Sequence, residues 1–398
     1  MTAHMLPPQI SPPTANLARR VEIAAEAAAA HADAVDRQAR FPGEAVAALR
    51  AERLMSIMVP ADLGGEGAGV GDVVDICYAL GRACASTAMI FAMHQIMVAI
   101  LVRHARDSAW HQRLLRHVCA EQWLLASSTT DGMGGGDLRA SACAVTPTGS
   151  RIALEKNAAV ISYGAEADAI LTTARRSPEA GAADQVLVAF AKGDYRLERT
   201  MEWDALGMRG TCSAGFMLAA AGEPEQVVPA AYPKIHSQSM MPIAHLTWSG
   251  VWSGVAAGAV ERARAFLRAA ARRGGGQLPP GASHLTRATA SLRSLRGMVA
   301  SQLQRFEAIA ASEDELERLE FQAAMNLLKV NASELALATV MSSLQACGLA
   351  GYRNDGDFSV TRHLRDILSA PIMINNDRIL ANAANASLLV EVPARLRD

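Results

Sequence analysis

Residues 128–141, STTDGMGGGDLRAS, hold four glycines between two aspartates, directly after a run of serine and threonine. A backbone without side chains lets main-chain amides approach a flat or anionic ligand, and nearby hydroxyls can bond heteroatoms at a ring edge. The stretch is neither a P-loop nor a GxGxxG fingerprint, and a mobile surface loop is the alternative. The segments on either side of it are therefore needed to assign a fold.

The predicted secondary structure differs between the segments around this stretch. Residues 123–236 contain short β-rich runs separated by turn clusters (SRIALEKNAAVISYG, AILTTARR, DQVLVAFAKG, AGFMLAAAG), which predict a β domain. Residues 15–122 are typical of helices, interrupted by one Gly-rich turn at 59–69. Residues 237–398 predict long helices, and residues 1–14, rich in proline, predict a flexible tail.

Helical periodicity is strongest in the last third of the chain. In residues 282–309 apolar side chains recur at spacings of three and four and so share one helix face: Leu285, Ala288, Leu292, Leu295, Val299, Leu303 and Phe306. The next segment is interpreted in the same way, with a buried face of Leu327, Val330, Leu337, Met341 and Leu344.

Charge and cysteine usage exclude several classes of protein. The 38 basic and 39 acidic residues give a net charge of -1 without any charge run, which argues against nucleic-acid and anionic-lipid partners. Six scattered cysteines without a CxxC pair indicate reduced thiols, and no export signal precedes the helices, so a cytoplasmic location is expected. Residues 87–102 are strongly apolar but short and contain His94 and Gln95; they predict a buried core helix, not a membrane span.

Several short motifs, in order, resemble the acyl-CoA dehydrogenase superfamily over residues 21–384. TDGMGGGD stands where that family has TEPxxGSD, and AVISYG stands where it has a strand ending in WIT or WIS. The resemblance continues through VPADLGGEG, LGMRGT, GVAAGAVERA, QACGLAGY and RHLRD. It implies an α+β fold with a helical N-terminal domain, a central β-barrel-like domain and a C-terminal four-helix bundle. It also implies FAD between the last two domains and a homodimer or homotetramer in which a neighbouring subunit completes the FAD site.

The resemblance also assigns cofactor contacts residue by residue. Thr129, Thr130 and Ser162 would hydrogen-bond the isoalloxazine edge, although strand-end capping is the alternative for the last two. Gln345 and Gly348 would meet the diphosphate of a partner's FAD. The remaining residues assigned to the cofactor are Ser127, Gly135, Gly136, Val160 and Asn376. No metal site is expected.

The family's usual catalytic glutamate is missing. In the family reaction a carboxylate removes the α-proton of an acyl thioester while a hydride passes to the flavin, and hydrogen bonds polarise the carbonyl. In most family members that glutamate lies nine residues after the arginine of the RD pair, a position that Ile374 occupies here. In other members it lies ten residues before the second glycine of the GxxxG step, a position that Trp248 occupies here. The ionisable residues that could substitute are His94, Asp377, His236 and His245, although a lone histidine on an apolar helix is more often a core residue.

Other departures surround the same site. Gly136 replaces the serine of GSD, Asp131 the glutamate of TEP, Val160 the aromatic residue of WIT, and Leu349 the second glycine of the QxxGG step. The family's RxxFG motif is replaced here by AARRGGG, so that Arg272 and Arg273 are the arginines that could take the place of the motif's arginine.

Three functions remain open at this point. The first is an FAD-dependent oxidoreductase acting on an acyl thioester, bound to CoA or an acyl carrier protein, with α,β-dehydrogenation chemistry at a non-standard site in specialised metabolism. The second is a flavin monooxygenase of the same fold, which uses O2, needs no α-proton base and could carry FMN. The third is a catalytically inactive flavin-fold binding protein.

Overall fold

The computed structural model describes residues 16–130 and 140–391, and its first part is helical. The Asn16 side chain accepts a hydrogen bond from the Arg19 amide (3.0 Å) and so caps the first helix. The helices before residue 122 are α1 (Leu17–Gln38), α2 (Gly43–Ala51), α3 (Val70–Ala83), α4 (Ala85–His104) and α5 (Ala109–Glu121).

Helix α4 is the core of this helical layer. It is longer than the apolar stretch suggested, and among the described residues it is the one helix long and apolar enough to cross a membrane. Yet 89% of its most apolar window is buried inside the protein. Its polar residue Gln95 donates to the carbonyls of Leu54 and Met55. Its burial inside the protein shows that it is a core helix, in agreement with the sequence prediction.

The middle of the chain forms two sheets. Strands β1 (Leu125–Ser128), β4 (Ala169–Arg175) and β5 (Gln185–Ala191) form one sheet in the order β1-β4-β5. Strands β2 (Thr146–Thr148), β3 (Arg151–Ile161), β7 (Ala214–Gly222) and β6 (Tyr195–Met201) form the other, in the order β2-β3-β7-β6. Among the named strands of the described residues, β1 and β4 alone pair in parallel, which brings the end of β1 beside Thr172.

The last part of the described chain is again helical. Its helices are α6 (Tyr232–Ile235), α7 (Met241–Arg273), α8 (Ala282–Ile309), α9 (Glu313–Glu317), α10 (Leu319–Cys347), α11 (Leu349–Tyr352), α12 (Thr361–Ile367) and α13 (Asn376–Leu389). A π-helical turn, His236–Met240, leads into α7. Helix α10 packs on α7, α8 and α13, and α7 also packs along α3. This packing joins the two helical layers.

The periodicity of residues 282–309 is confirmed, because Ala288, Leu292, Leu295, Val299 and Phe306 are buried in α8. The face predicted for the next helix is wrong in part. Leu327 and Met341 of α10 are exposed, and the buried face includes instead Phe321, Met325, Leu328, Ala332, Ala336 and Val340. Because α10 is surrounded by three other helices, its apolar residues form no narrow stripe that periodicity could reveal.

Glycines bring α3 and α7 unusually close together. A Cβ on Gly254 would lie 2.3 Å from the Tyr78 carbonyl oxygen, and one on Gly81 would lie 2.5 Å from the Val251 carbonyl oxygen. The GVAAG motif is therefore explained by packing, because only glycine fits where two helix backbones meet at this distance.

Candidate functional site

A cavity of about 720 Å³ lies where β1, β3, α4, α7, α10 and α13 meet, within the size range of ligand sites. Its walls are largely apolar. The described residues that line it include seven methionines: Met89, Met93, Met97, Met208, Met240, Met241 and Met373.

One side of the cavity is formed by hydroxyl-bearing strand ends. Ser127 lies in β1, and Thr129 and Thr130 directly follow the end of that strand. Val160 and Ser162 lie at the end of β3. Pairing within the two sheets brings these five residues to the same cavity, although they are 30 to 35 positions apart in the sequence. Gly135 and Gly136, assigned to the cofactor from the sequence, lie outside the described residues.

Three hydroxyls of residues that line the cavity form a directed chain along this side. Thr211 Oγ1 donates to the Met208 carbonyl (2.8 Å), which can only accept. Thr211 Oγ1 must therefore accept from Ser213 Oγ (2.8 Å), and Ser213 Oγ must accept from Ser162 Oγ (2.8 Å). The proton of Ser162 is thus directed to Ser213 Oγ, and Ser162 presents lone pairs to the cavity.

Another wall is fixed by the Arg-Asp pair of RHLRD. Asp366 Oδ1 accepts from the Met208 amide (2.7 Å), and Arg365 forms an ion pair with Asp36. Burial raises the pKa of the Asp366 carboxyl to about 6. A Cβ on Gly207 would lie 2.0 Å from the Arg365 carbonyl oxygen, so the LGM segment follows the backbone of α12 closely. The pair therefore positions the cavity wall at residues 203–208.

The two sequence positions at which the family places its catalytic carboxylate both line the cavity, and neither is occupied by an acidic residue here. Ile374 lies in left-handed backbone (φ 50°), which is unfavourable for a β-branched residue, and Trp248 lies on α7. Within residues 16–130 and 140–391, no aspartate or glutamate lines the cavity.

Two of the substitutes suggested by the sequence do not reach the cavity. His94 is fully buried, and both ring nitrogens bond to backbone: Nε2 to the Met55 carbonyl (2.7 Å) and Nδ1 to the Leu125 amide (3.0 Å). Burial lowers the pKa of His94 to about 4. Asp377 is exposed at the start of α13, outside the cavity lining. Since neither side chain lines the cavity, neither His94 nor Asp377 is retained as a candidate catalytic residue.

The other two substitutes, His236 and His245, do line the cavity. The Nδ1 atom of His245 lies 2.9 Å from the Met325 carbonyl. Because a carbonyl can only accept, Nδ1 carries the proton and Nε2 is an acceptor. Burial lowers the pKa of His245 to about 3, so the ring is neutral at physiological pH.

Asn376 departs from its predicted contact with the cofactor. It is buried outside the cavity lining: its Oδ1 accepts from Lys329 Nζ (2.7 Å) and its Nδ2 donates to Ser333 Oγ (3.0 Å). Lys329 is fully buried, and burial lowers the pKa of its amine to about 8. Sequence reasoning missed this lysine. It anchors the segment that carries Ile374 to α10.

The remaining assigned residues lie elsewhere. Gln345 and Gly348 are exposed at the end of α10, away from the cavity lining, and Arg272 and Arg273 are exposed at the end of α7. In the described part of the chain, no three His, Cys, Asp or Glu side chains are grouped to hold a metal ion.

Family models decide the assignment. The acyl-CoA dehydrogenase N-terminal domain matches residues 16–122 and the acyl-CoA dehydrogenase C-terminal domain matches residues 238–389, together more than half of the chain. The chain belongs to the acyl-CoA dehydrogenase superfamily. The resemblance read from the motifs and the three-part fold are confirmed, and this superfamily member is a flavin-dependent oxidoreductase.

Individual superfamily relatives differ in chemistry. The chain is 29% identical over 195 residues to cyclohex-1-ene-1-carbonyl-CoA dehydrogenase of Geobacter metallireducens, an alignment spanning 48% of this chain and about half (51%) of that protein. It is 24% identical to dibenzothiophene monooxygenase of Mycolicibacterium goodii over 81% of this chain and 77% of that protein. The crystal structure of FMN-bound TdsC from Paenibacillus sp. A11-2 has a TM-score of 0.79 at 20% identity, covering 94% of this chain and 98% of that one.

The residues present fit the superfamily's flavin. A flavin ring needs apolar contact on its faces and polar groups along its edge. The cavity supplies the first with Met93, Met97 and Val160, and the second with Thr130 and Ser162.

Proposed function

We propose that this protein is a flavin-dependent monooxygenase acting on an apolar substrate. The proposal depends on one observation: none of the described residues that line the cavity has a carboxylate. Ile374 and Trp248 occupy the two positions where the family has its catalytic glutamate. The alignment with a dibenzothiophene monooxygenase over most of both chains supports the same reaction class.

The chemistry explains why the missing base separates the two reactions. Removing the α-proton of a thioester requires a positioned base, which contributes roughly 10² to 10⁴ in rate. Monooxygenation inserts one atom of O2 into the substrate, releases the other as water and takes two electrons from reduced flavin, which supplies the O2 activation when bound. The protein's part is to hold the substrate in an apolar, water-poor cavity, for which the methionine-rich walls are suited.

The direct test supplies isotopically labelled O2, reduced FMN or FAD from an external reductase, and a panel of small aromatic substrates. Labelled oxygen is expected in the product by mass spectrometry. In parallel, anaerobic mixing with acyl-CoA esters is expected to leave the oxidised flavin band unchanged. Anaerobic bleaching by an acyl-CoA, without any labelled product, would contradict the proposal.

Restoring the carboxylate should convert the site toward dehydrogenation. Ile374→Glu places a base on the cavity wall and is expected to raise acyl-CoA-dependent bleaching of the flavin by roughly 10²-fold or more over wild type. Ile374→Gln, similar in shape but without a base, is the control and should stay at the wild-type level. Equal rates in all three proteins would mean that no α-carbon is presented to this position.

Dehydrogenation of an acyl thioester, on CoA or a carrier protein, is the second candidate. The relation to cyclohex-1-ene-1-carbonyl-CoA dehydrogenase favours it. His245 and His236 are the bases that the described lining residues could then offer, and the low pKa of His245 makes it a poor acceptor of an α-proton at neutral pH.

The hydroxyl chain should favour the reduced cofactor. A reduced isoalloxazine ring carries an N–H at N5 that the oxidised ring lacks, and Ser162 presents only lone pairs. Ser213→Ala frees the Ser162 proton to face the cavity, so it is expected to strengthen binding of oxidised relative to reduced flavin by about tenfold, or about 1.4 kcal/mol. Titrations followed by calorimetry, anaerobic for reduced flavin and aerobic for oxidised flavin, measure the two affinities. An unchanged ratio would mean that Ser162 does not contact that edge.

Assembly is part of the same proposal. The surface beside Gln345 exposes apolar side chains, with Leu349 73% and Tyr352 71% exposed, and Leu388 on α13 is 84% exposed. Such residues are typical of an interface between subunits. We therefore expect a homodimer or homotetramer, in which Gln345 and Gly348 can reach the diphosphate of a neighbour's FAD.

A further inference from the structure

The wall of α7 inside the cavity offers one hydrogen-bond acceptor and one donor that no described residue uses. The acceptor is Nε2 of His245, whose side chain is 3% exposed and whose other ring nitrogen bonds the Met325 carbonyl. The donor is the indole N–H of Trp248, a residue 8% exposed. Both residues line the cavity.

Unused polar groups in such buried side chains are unusual. Most buried donors and acceptors in proteins are satisfied, because leaving one without a partner costs its full desolvation penalty. His245 and Trp248 lie three residues apart on α7, so they share a helix face, and their ring centroids are 5.8 Å apart. A ligand group that satisfies both must donate to His245 and accept from Trp248.

We propose that the substrate is an aromatic hydroxyl compound whose hydroxyl group bonds both His245 Nε2 and Trp248 Nε1. A hydroxyl is the smallest group that donates one hydrogen bond and accepts another. A carboxylate could only accept and would leave His245 without a donor. An ether or thioether likewise accepts only. This inference names the substrate class of the proposed monooxygenase and rests on that proposal.

The rest of the cavity fits the aromatic body of such a compound. Met240 and Met241 lie just before His245 in the chain and line the cavity beside it. Met89, Met93 and Met97 of α4 form another wall of the cavity. Thioether sulfurs make favourable contacts with aromatic rings, and flexible methionines adapt to ring shape. The pair on α7 would therefore set the orientation of the ring while the methionines provide its burial.

His245 acts here as an orienting acceptor. Its ring is neutral because burial lowers its pKa to about 3, with Lys329 and His236 as nearby groups that lower it further. The Met325 carbonyl fixes the tautomer by holding the proton on Nδ1. The hydroxyl proton thus stays on the ligand and points to Nε2.

The test is a binding measurement that needs no turnover. Isothermal titration calorimetry of the flavin-loaded protein compares 2-naphthol with 2-methoxynaphthalene, which keeps the ring and the acceptor oxygen but cannot donate. Wild type is expected to bind 2-naphthol about tenfold tighter, the value of one net hydrogen bond. Equal affinities for the two compounds would overturn the inference.

Variants separate the two roles. His245→Phe removes the acceptor, so the tenfold preference should disappear. Trp248→Phe removes the donor and should weaken both compounds while keeping their ratio. His236→Phe, a second histidine on the cavity wall, is the matched control and should keep the preference. Loss of the preference in the control variant but not in His245→Phe would overturn the assignment. If His245→Phe fails to fold, the wild-type preference for 2-naphthol and the weakening of both compounds by Trp248→Phe decide: absence of either overturns the inference.

Failure of this inference is distinguishable from failure of the proposed function. Discrimination by the hydroxyl without any incorporation of labelled O2 would keep the orienting pair and reject the monooxygenase. Incorporation of labelled O2 into the ether as readily as into the naphthol, with equal affinities, would reject the orienting pair and keep the monooxygenase.

Discussion

Gly254→Ala is expected to destabilise the protein by about 3 kcal/mol or more. The new methyl group would lie 2.3 Å from the Tyr78 carbonyl oxygen and 2.9 Å from the Cα of Gly81. Backbone atoms cannot rotate away as a side chain can, so α3 and α7 must separate and lose packing along their contact. The free energy of unfolding from urea denaturation, at saturating flavin, measures the effect.

A second glycine in a helix supplies the control. Gly297 is exposed in α8, and a Cβ there would have no atom within 4 Å. Gly297→Ala should therefore stabilise the protein by about 0.5–1 kcal/mol, the difference in helix propensity. Similar changes in the two variants would show that helix propensity, and not the contact between α3 and α7, determines the response.

Acidification from pH 7 to pH 5 is expected to cost several kcal/mol of stability. Burial lowers the pKa values of His94, His104 and His111 to about 4 and that of His245 to about 3, and it holds the pKa of His363 well below its usual value. Below about pH 6.5 these histidines bind protons in the unfolded chain while they stay neutral in the folded protein. The unfolded state therefore gains stability as the pH falls, until the pH approaches the folded pKa values.

His94 alone should account for about 2 kcal/mol of this loss at pH 5, because pH 5 lies about 1.5 units below its ordinary pKa of 6.5 and still above its folded pKa of about 4, at about 1.4 kcal/mol per unit. His94→Gln does not titrate and can still donate to Met55 and accept from Leu125. Its unfolding free energy should fall by about 2 kcal/mol less than that of wild type between pH 7 and pH 5. Asp366 acts in the opposite sense, because its pKa is raised to about 6 and its protonation favours the folded state. A steeper loss in His94→Gln than in wild type would refute this account.

The order of helical and β segments was predictable because each segment carries its own local pattern. The runs beginning at Arg151, Ala169, Gln185 and Ala214 are strands, as their alternating or continuous apolar character indicated. The strands that the sequence did not reveal are β1, β2 and β6. Strands β1 and β2 have four and three residues, and β6 is largely exposed, so none carries enough apolar contrast to be recognised.

The candidate site was predictable where it depends on motif positions. Counting along the family's motifs placed Thr130, Ser162, Ile374 and Trp248 correctly on one cavity, although their roles toward a flavin stay predictions. The hydroxyl chain behind Ser162 was not predictable. Ser162 and Ser213 are 51 residues apart in sequence and meet only because β3 and β7 pair.

Contacts across the bundle were equally hidden. Asn376 was assigned to the cofactor from its place after the Arg-Asp pair, but its partner Lys329 lies 47 residues earlier in the chain. No local pattern connects the two, since a lysine in an amphipathic helix is normally expected to face water. His94 is the reverse case: its apolar neighbours predicted a core residue, and the core is where it lies.

The buried Lys329 leaves the surface unusually poor in reactive side-chain amines. The chain has four lysines, and Lys156 is buried too, where it donates to the carbonyls of Ser128 and Thr173. Lys192 and Lys234 are thus the only two lysine side chains within reach of acylating reagents. Dyes, cross-linkers or resins coupled through lysine will attach at these two known places and leave the cavity untouched, which makes the protein convenient to immobilise or label in a defined orientation.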